Sequence, residues 1–451
     1  MRIHIISIGG AVMHNIAIAL KLQGHLVSGS DDEIYDPSKS RLADYDLLPD
    51  AMGWYPEQIT TDIDFCILGM HARAGNPEIE RAKSLHIPIY SYPEYVARFA
   101  EDKLRIVIGG SHGKTTTTSM VMHILKSAGK DFDYLVGAKL EGFDHMVRFS
   151  DAPIMVLEGD EYLSSALDRR AKFIHYKPQL AVLTGIAWDH INVFPTFDSY
   201  LQTFRDFLTS LPAKAKLFYY GSDDTLTQLV TKTEVEAVSY DHLPYRMNEQ
   251  KLMEIEIDGQ WYPTSLVGTH NAQNLNAAYL IARTLDIPNE IIGASLAHFK
   301  GASKRLQLLA EKGGQKVFLD FAHAPSKVKA TMDSIQEQFP EQKWIAVAEL
   351  HTYSSLNVKF LPHYAHALDR ADNACVFYSP HAVKMKKMEP MEAEDIRKGF
   401  QRSDLSIATN KEELRDFLQP YIHKGYSLLL MSSGTFGGTN VRELAKEFLG
   451  L

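Results

Sequence analysis

The chain has 451 residues, which at about 150 residues per domain corresponds to roughly three domains. Hydrophobic residues make up 45% of it, enough for packed cores, so disordered and fibrous classes are excluded. The formal net charge is -9, so the chain has no electrostatic footprint for a nucleic-acid backbone, and phosphate ligands have to be held by local groups.

The two cysteines, Cys66 and Cys375, share no metal-ligand spacing and are too few for a disulfide framework. Buried thiols in a reducing compartment are expected. No stretch approaches the ~18 apolar residues of a membrane span. Met1 to Gly10 lacks the basic region and cleavage site of a signal peptide. The expectation is a soluble, cytoplasmic protein with no membrane partner.

In chain order, a strand over Ile3 to Ile8 leads into Gly9-Gly10 and a helical pattern through Met13, Ile16, Ala17 and Leu20. A second strand, Leu26 to Gly29, ends at Ser30-Asp31. Short strands at Asp64 to Leu68 and Ile87 to Tyr90 follow. A second block opens with a strand at Leu104 that runs into Gly109-Gly110-Ser111-His112-Gly113-Lys114-Thr115 and a helix. Its later strands are Ile154 to Leu157 and Leu180 to Leu183. A third block has strands at Val317 to Asp320, Trp344 to Val347, Cys375 to Tyr378 and Ser427 to Met431. Alternating strands and helices predict parallel, doubly wound α/β sheets. The boundaries fall near 103 and 302, giving domains 1–103, 104–302 and 303–451.

Between strand and helix, Gly110 to Thr116 has the setting of a phosphate loop. Glycines let backbone N–H groups turn around phosphate oxygens, and the helix N-terminus adds its positive end. Lys114 would reach the terminal phosphates as a point charge, and the Thr115 hydroxyl would ligate Mg²⁺. The general pattern is not met at its first glycine, where Ile108 stands. Two polar clusters follow strands, Glu158-Gly159-Asp160-Glu161 and Asp189-His190. Ligands of open α/β sheets bind beyond the carboxyl ends of strands. Glu158 suits Mg²⁺, which prefers carboxylate oxygen. His190 reads equally as a ligand or as a hydrogen-bonding histidine.

Taken in order, these segments resemble the Mur ligase family over nearly the whole chain. Gly110 to Thr117 is similar to the family's shortened phosphate loop, whose first glycine falls at Gly110, which removes the difficulty of Ile108. Glu158 to Glu161 resembles its magnesium segment, and Asp189-His190 its Asp-His pair, making His190 a second magnesium ligand. His270-Asn271-Ala272-Gln273-Asn274 resembles its adenine segment, while Lys304-Arg305 and Asp320 to Pro325 resemble the C-terminal elements that close on the nucleotide. The resemblance implies an N-terminal Rossmann-like domain that binds a UDP-sugar through Gly9, Gly10, Ser30 and Asp31. It implies a central phosphate-loop ATPase domain with a parallel sheet and a C-terminal Rossmann-like domain. The implied reaction is amide formation at UDP-N-acetylmuramate with ATP and Mg²⁺, through an acyl-phosphate.

Two branches of the family begin with such a Gly-Gly turn. One adds L-alanine. The other, which recycles peptidoglycan, adds the tripeptide L-alanyl-γ-D-glutamyl-meso-diaminopimelate. Val12, Tyr35-Asp36-Pro37, Gly75-Asn76-Pro77, Asp168 to Tyr176 and Met431 to Gly438 resemble the tripeptide branch. Arg169, Arg170 and Lys172 would then meet the acceptor's carboxylates. Ser7, His14-Asn15, Thr184 and Glu349-Leu350-His351 depart from the family's pattern, and Tyr200 to Leu208 offers no lysine for carbamylation. His323 is a candidate base for the amine, or a structural histidine. The competing classes are a non-catalytic nucleotide-dependent switch and a folylpolyglutamate-type ligase.

Overall fold

A computed structural model describes residues 1–249, 252–301 and 305–451. They form two compact units, one of Met1–Ile186, Leu201–Tyr240 and Leu280–Asp286, the other of Ala187–Tyr200, Asp241–Tyr279 and Ile287–Leu451. The architecture is α/β with parallel sheets, as the alternation of elements predicts.

The first unit holds two sheets. Strands β1 (Arg2–Ile6), β2 (Leu26–Ser30), β3 (Phe65–Leu68) and β4 (Ile89–Ser91) pair in parallel in the order β2-β1-β3-β4. β1 ends two residues before the expected Ile8, because Ser7 turns into the left-handed region at φ 72°. Glycine takes that conformation without strain and serine does not. Here the Ser7 hydroxyl accepts a hydrogen bond from Ala72 N at 2.9 Å, which helps to fix the turn.

The second sheet comprises β5 (Leu104–Gly109), β6 (Phe132–Leu135), β7 (Val147–Arg148), β8 (Ile154–Gly159), β9 (Leu180–Leu183), β10 (Lys216–Tyr220) and β11 (Glu236–Tyr240). Its order is β11-β10-β9-β5-β8-β6-β7, parallel except for β7 at the edge. Ile106, Val107 and Ile108 of β5 are wholly buried. Such continuous apolar runs belong to parallel strands covered on both faces.

The second unit contains a three-stranded antiparallel sheet of β12 (Tyr245–Met247), β13 (Met253–Ile257) and β14 (Gln260–Pro263), which the strand signals had not revealed. It also contains a six-stranded sheet of β15 (Gln307–Lys312), β16 (Gln315–Asp320), β17 (Lys343–Leu350), β18 (Asn373–Tyr378), β19 (Ser406–Ala408) and β20 (Tyr426–Met431). The order is β15-β16-β20-β17-β18-β19, with only β15 antiparallel. Along β17 the side chains alternate between two cores: Trp344, Ala346 and Ala348 enter one, Ile345 and Val347 the other.

Cys66 and Cys375 are both free and buried, as expected. No helix among the described residues is long and apolar enough to cross a membrane. Trp344 has no solvent exposure, so Trp344→Ala should cost about 3–5 kcal/mol, seen as a lowered urea midpoint for the transition that includes this sheet.

Candidate functional site

β5 delivers the chain to Gly110 at the carboxyl end of the seven-stranded sheet, and the helix Lys114–Ser127 departs from it. Gly110 has φ 120°, and a Cβ there would lie 2.4 Å from Thr184 Oγ1 and 2.8 Å from Thr184 N. Only glycine fits this approach. The loop is tied to the end of β9: Ser111 N donates to Gly185 O at 2.9 Å, and the Thr184 hydroxyl donates to the carbonyls of His112 and Gly109. Thr184, a departure from the family pattern, therefore serves to hold the loop. Gly113 caps the helix in the left-handed region at φ 74°.

Lys114 lies at the first helical position. Its ammonium donates to Glu161 Oε2 and to Gly110 O, both at 2.6 Å. Burial opposes its charge, but Glu161, Asp160 and Glu158 outweigh that and hold its pKa above the ordinary lysine value. The Thr115 hydroxyl donates to Glu158 Oε1 at 2.8 Å, and Gly137 N donates to Glu158 Oε2 at 2.9 Å. A hydroxyl and a carboxylate so close together are both oxygen ligands of the kind Mg²⁺ takes, so this pair fits the ion. Thr116 is buried behind the loop. Thus the first unit brings together Gly110, Ser111, His112, Gly113, Lys114, Thr115, Glu158 and Glu161.

The N-terminal turn gathers a second group. Asp31 Oδ2 accepts from Gly9 N at 2.8 Å, and a Cβ on Gly9 would meet Ile34 and Asp31 at 2.8 and 2.9 Å. His14 Nδ1 lies 2.9 Å from Gly10 O, and Asn15 donates to Ala11 O at 2.8 Å, so these two departures brace the turn. The Ser30 hydroxyl donates to buried Glu78, whose other oxygen accepts from Tyr55 N at 2.6 Å. Glu78 lies on the helix Pro77–Ser84, and nothing local in the sequence marks it.

In the second unit, Asp189 is buried and its Oδ2 lies 3.5 Å from Lys327 Nζ and 3.7 Å from His323 Nε2. Burial alone would raise its pKa, but Lys327, His190 and His323 overcome that and hold the carboxyl far below its usual range. His190 has φ 57°, and its N–H donates to Asp189 Oδ1 at 2.7 Å. Burial, then Lys327, push His323 down to about 4, so its ring is neutral at pH 7. Its Nδ1 faces Phe321 O at 3.0 Å. A base so weak suits a positioning role beside Asp189 better than proton capture from an amine. Lys327 was not singled out in the sequence, although its place two residues after Pro325 in the helix Pro325–Gln338 was a signal.

His270 Nδ1 lies 2.8 Å from Ser334 Oγ, Asn271 donates to Val267 O at 2.8 Å, and Asn274 donates to Asn271 Oδ1 at 3.4 Å. Burial lowers the His270 pKa against the pull of Asp320 and Glu337. Asp320 accepts from Ala322 N and Leu306 N, each at 2.7 Å, and so ties the ends of β15 and β16 together. The Arg305 guanidinium lies 4.5 Å from the Phe321 ring centroid. Lys304, its expected neighbour, lies outside the described residues.

The cations expected to meet an acceptor differ among themselves. Arg170 forms a fork on Asp168, with Nε and Nη2 at 3.0 and 2.8 Å, and reaches Glu94 at 3.1 Å. Lys172 donates to Asp160 at 2.6 Å. Arg169 is exposed.

Three successive family matches cover the chain: Mur ligase family, catalytic domain, over residues 2–104; Mur ligase middle domain over 108–282; and Mur ligase, glutamate ligase domain, over 304–434. The UDP-N-acetylmuramate--L-alanyl-gamma-D-glutamyl-meso-2,6-diaminoheptandioate ligase of Escherichia coli (strain K12) is 28% identical over 458 residues, covering 98% of each chain. The UDP-N-acetylmuramate--L-alanine ligase of Anaeromyxobacter sp. (strain Fw109-5) is 30% identical over 385 residues, 82% of this chain and 81% of that one. Among solved structures, the UDP-N-acetylmuramate-alanine ligase of Thermotoga maritima matches with a TM-score of 0.69 at 20% identity, over 100% of this chain and 98% of its own.

Gly110→Ala should abolish ATP-dependent turnover while leaving a folded protein, as judged by circular dichroism. Glu158→Gln should raise the Mg²⁺ concentration needed for half-maximal rate, and His190→Ala should raise it less, since a carboxylate is the harder ligand. Unchanged magnesium dependence in both would show that neither residue holds the ion.

Proposed function

The chain belongs to the Mur ligase family of ATP-dependent carbon–nitrogen ligases, and from that premise we propose that it joins UDP-N-acetylmuramate to the tripeptide L-alanyl-γ-D-glutamyl-meso-diaminopimelate. Its general role is that of a Mur-type ligase of peptidoglycan synthesis. The observation that carries the nucleotide chemistry is the loop at Gly110 to Thr116, with Lys114 and Thr115 held on Glu161 and Glu158. We assign residues 1–103 to the UDP-sugar, 104–302 to ATP and 303–451 to closure over nucleotide and acceptor; the three successive family matches support this division.

A carboxylate and an amine do not condense at neutral pH without activation. In the proposed reaction the substrate carboxylate attacks the γ-phosphorus of ATP, the bond to the ADP oxygen breaks, and an acyl-phosphate results. The amine then attacks the acyl carbon, and phosphate leaves with the loss of an amine proton. Lys114 would exchange Glu161 for phosphate oxygens and meet the charge on the transferring group. Glu158 and Thr115, with His190 as a second site, would hold Mg²⁺, which supplies charge neutralisation to the phosphates. His270, Asn271 and Asn274 would contact the adenine, Arg305 and Asp320 the nucleotide, and Gly9, Gly10, Ser30 and Asp31 the UDP-sugar. Most of the work is positioning.

Support for the tripeptide comes from the segment Asp168 to Tyr176 and from the end-to-end match to the E. coli tripeptide ligase. The second reading, L-alanine as acceptor, is favoured by the 30% identity to the Anaeromyxobacter enzyme. In the tripeptide reading, exposed Arg169 is the cation of this segment left to meet an acceptor carboxylate, since Arg170 and Lys172 are paired. The deciding measurement is kcat/KM for the tripeptide and for L-alanine on the same enzyme. The tripeptide should be the better substrate, and a strong preference for L-alanine would overturn the assignment.

A further inference from the structure

The end of β8 and the loop after it place three carboxylates in four residues, Glu158, Asp160 and Glu161, and each has a cation or donor of its own. Glu158 takes the Thr115 hydroxyl and Glu161 takes Lys114. Asp160 takes Lys172, at 2.6 Å. Lys172 begins the short helix Lys172–Tyr176, twelve residues beyond Asp160, and only 13% of its side chain is exposed. Its ammonium lies 5.6 Å from the ring centroids of both Tyr92 and Tyr162. Two aromatic faces and a carboxylate therefore enclose it, an arrangement that holds a cation in place.

We propose that Lys172 is a positioning residue for the nucleotide chemistry: by holding Asp160 it weakens that carboxylate's pull on Lys114, so that the Lys114 ammonium stays hydrogen-bonded to Glu161 until phosphate replaces it. The inference rests on reading Lys114 as the phosphate-binding lysine. Asp160 also accepts from Tyr162 N at 3.4 Å, but Lys172 is the ammonium that pairs with it, so the loss of Lys172 leaves its charge to act on Lys114. Charges a few ångströms apart in a poorly solvated pocket interact far more strongly than in water. Without the Lys172 ammonium to balance its charge, Asp160 would compete for Lys114 with the incoming phosphates and repel them directly. Asp160 is itself one-third exposed, so its position depends on the contact with Lys172 more than on packing. Lys172 would then act on the nucleotide, while exposed Arg169 of the same segment is left for the acceptor.

The test compares Lys172→Met, Lys172→Arg, the double variant Asp160→Asn/Lys172→Met, and Lys114→Ala, by steady-state kinetics with ATP and UDP-N-acetylmuramate varied separately. Lys172→Met keeps the apolar stem and removes the charge. It should raise the KM for ATP by about tenfold or more, the scale of a lost charged contact, and change the KM for UDP-N-acetylmuramate by less than about twofold. Lys172→Arg should restore much of the loss. The double variant should bind ATP better than Lys172→Met, because the unbalanced charge is gone, and it also covers the case in which the single variant fails to fold. A purely structural role for Lys172 gives no recovery in the double variant, or a rise in both KM values together, and either result overturns the proposal. A normal KM for ATP in Lys172→Met alongside a defective Lys114→Ala overturns it too and leaves the phosphate-loop reading standing. Normal ATP use by Lys114→Ala removes that reading itself.

Discussion

A lysine ammonium held at a helix start, with 13% of its side chain exposed, has to be matched by negative charge before any ligand arrives. Lys114 meets that requirement with Glu161, and much of the surrounding structure follows from it. The acidic loop after β8 has to lie against the helix, so β5 and β8 are neighbours in the sheet. Extra carboxylates in that loop need partners of their own, which come from Thr115, Gly137 and Lys172. The loop before the helix has to stay tight, which forbids a side chain at Gly110 and recruits Thr184 to hold the carbonyls. Phosphate oxygens that take over the role of Glu161 add negative charge to the site, which the bound Mg²⁺ would have to balance.

How much of this was legible in the sequence depended on how local each cause is. The buried parallel strands could be read because both of their faces are covered, leaving continuous apolar runs such as Ile106 to Ile108. The phosphate loop could be read because its glycines, lysine and threonine are contiguous. The shortest antiparallel strands escaped: β7 has two residues and β12 three, too short for a period to show. The partners of buried charges escaped as well. Glu78 lies 48 residues from Ser30, and Lys327 lies 138 residues beyond Asp189, so only the folded chain connects them.

The departures from the family pattern fall into two kinds. Ser7, His14, Asn15 and Thr184 each make a hydrogen bond to nearby backbone, so the loops they belong to keep their shape with different atoms. Glu349 is of another kind. It is buried at the end of β17, accepts from Phe436 N at 2.9 Å and from the Ser432 hydroxyl, and leaves no room for a side chain at Gly434. It organises the turn after β20, so this departure changes which groups that turn presents.

The two cysteines matter for how motion in this molecule can be followed. Cys66 and Cys375 are fully enclosed, and burial pushes both thiols up to about 12, so at neutral pH neither offers a thiolate. Maleimide reagents attack thiolates. The unaltered protein is therefore silent toward such labels while it stays folded. A pair of surface cysteines can be introduced and tagged with fluorophores without first stripping out the native thiols, and any background labelling reports local opening of the sheets that contain β3 and β18.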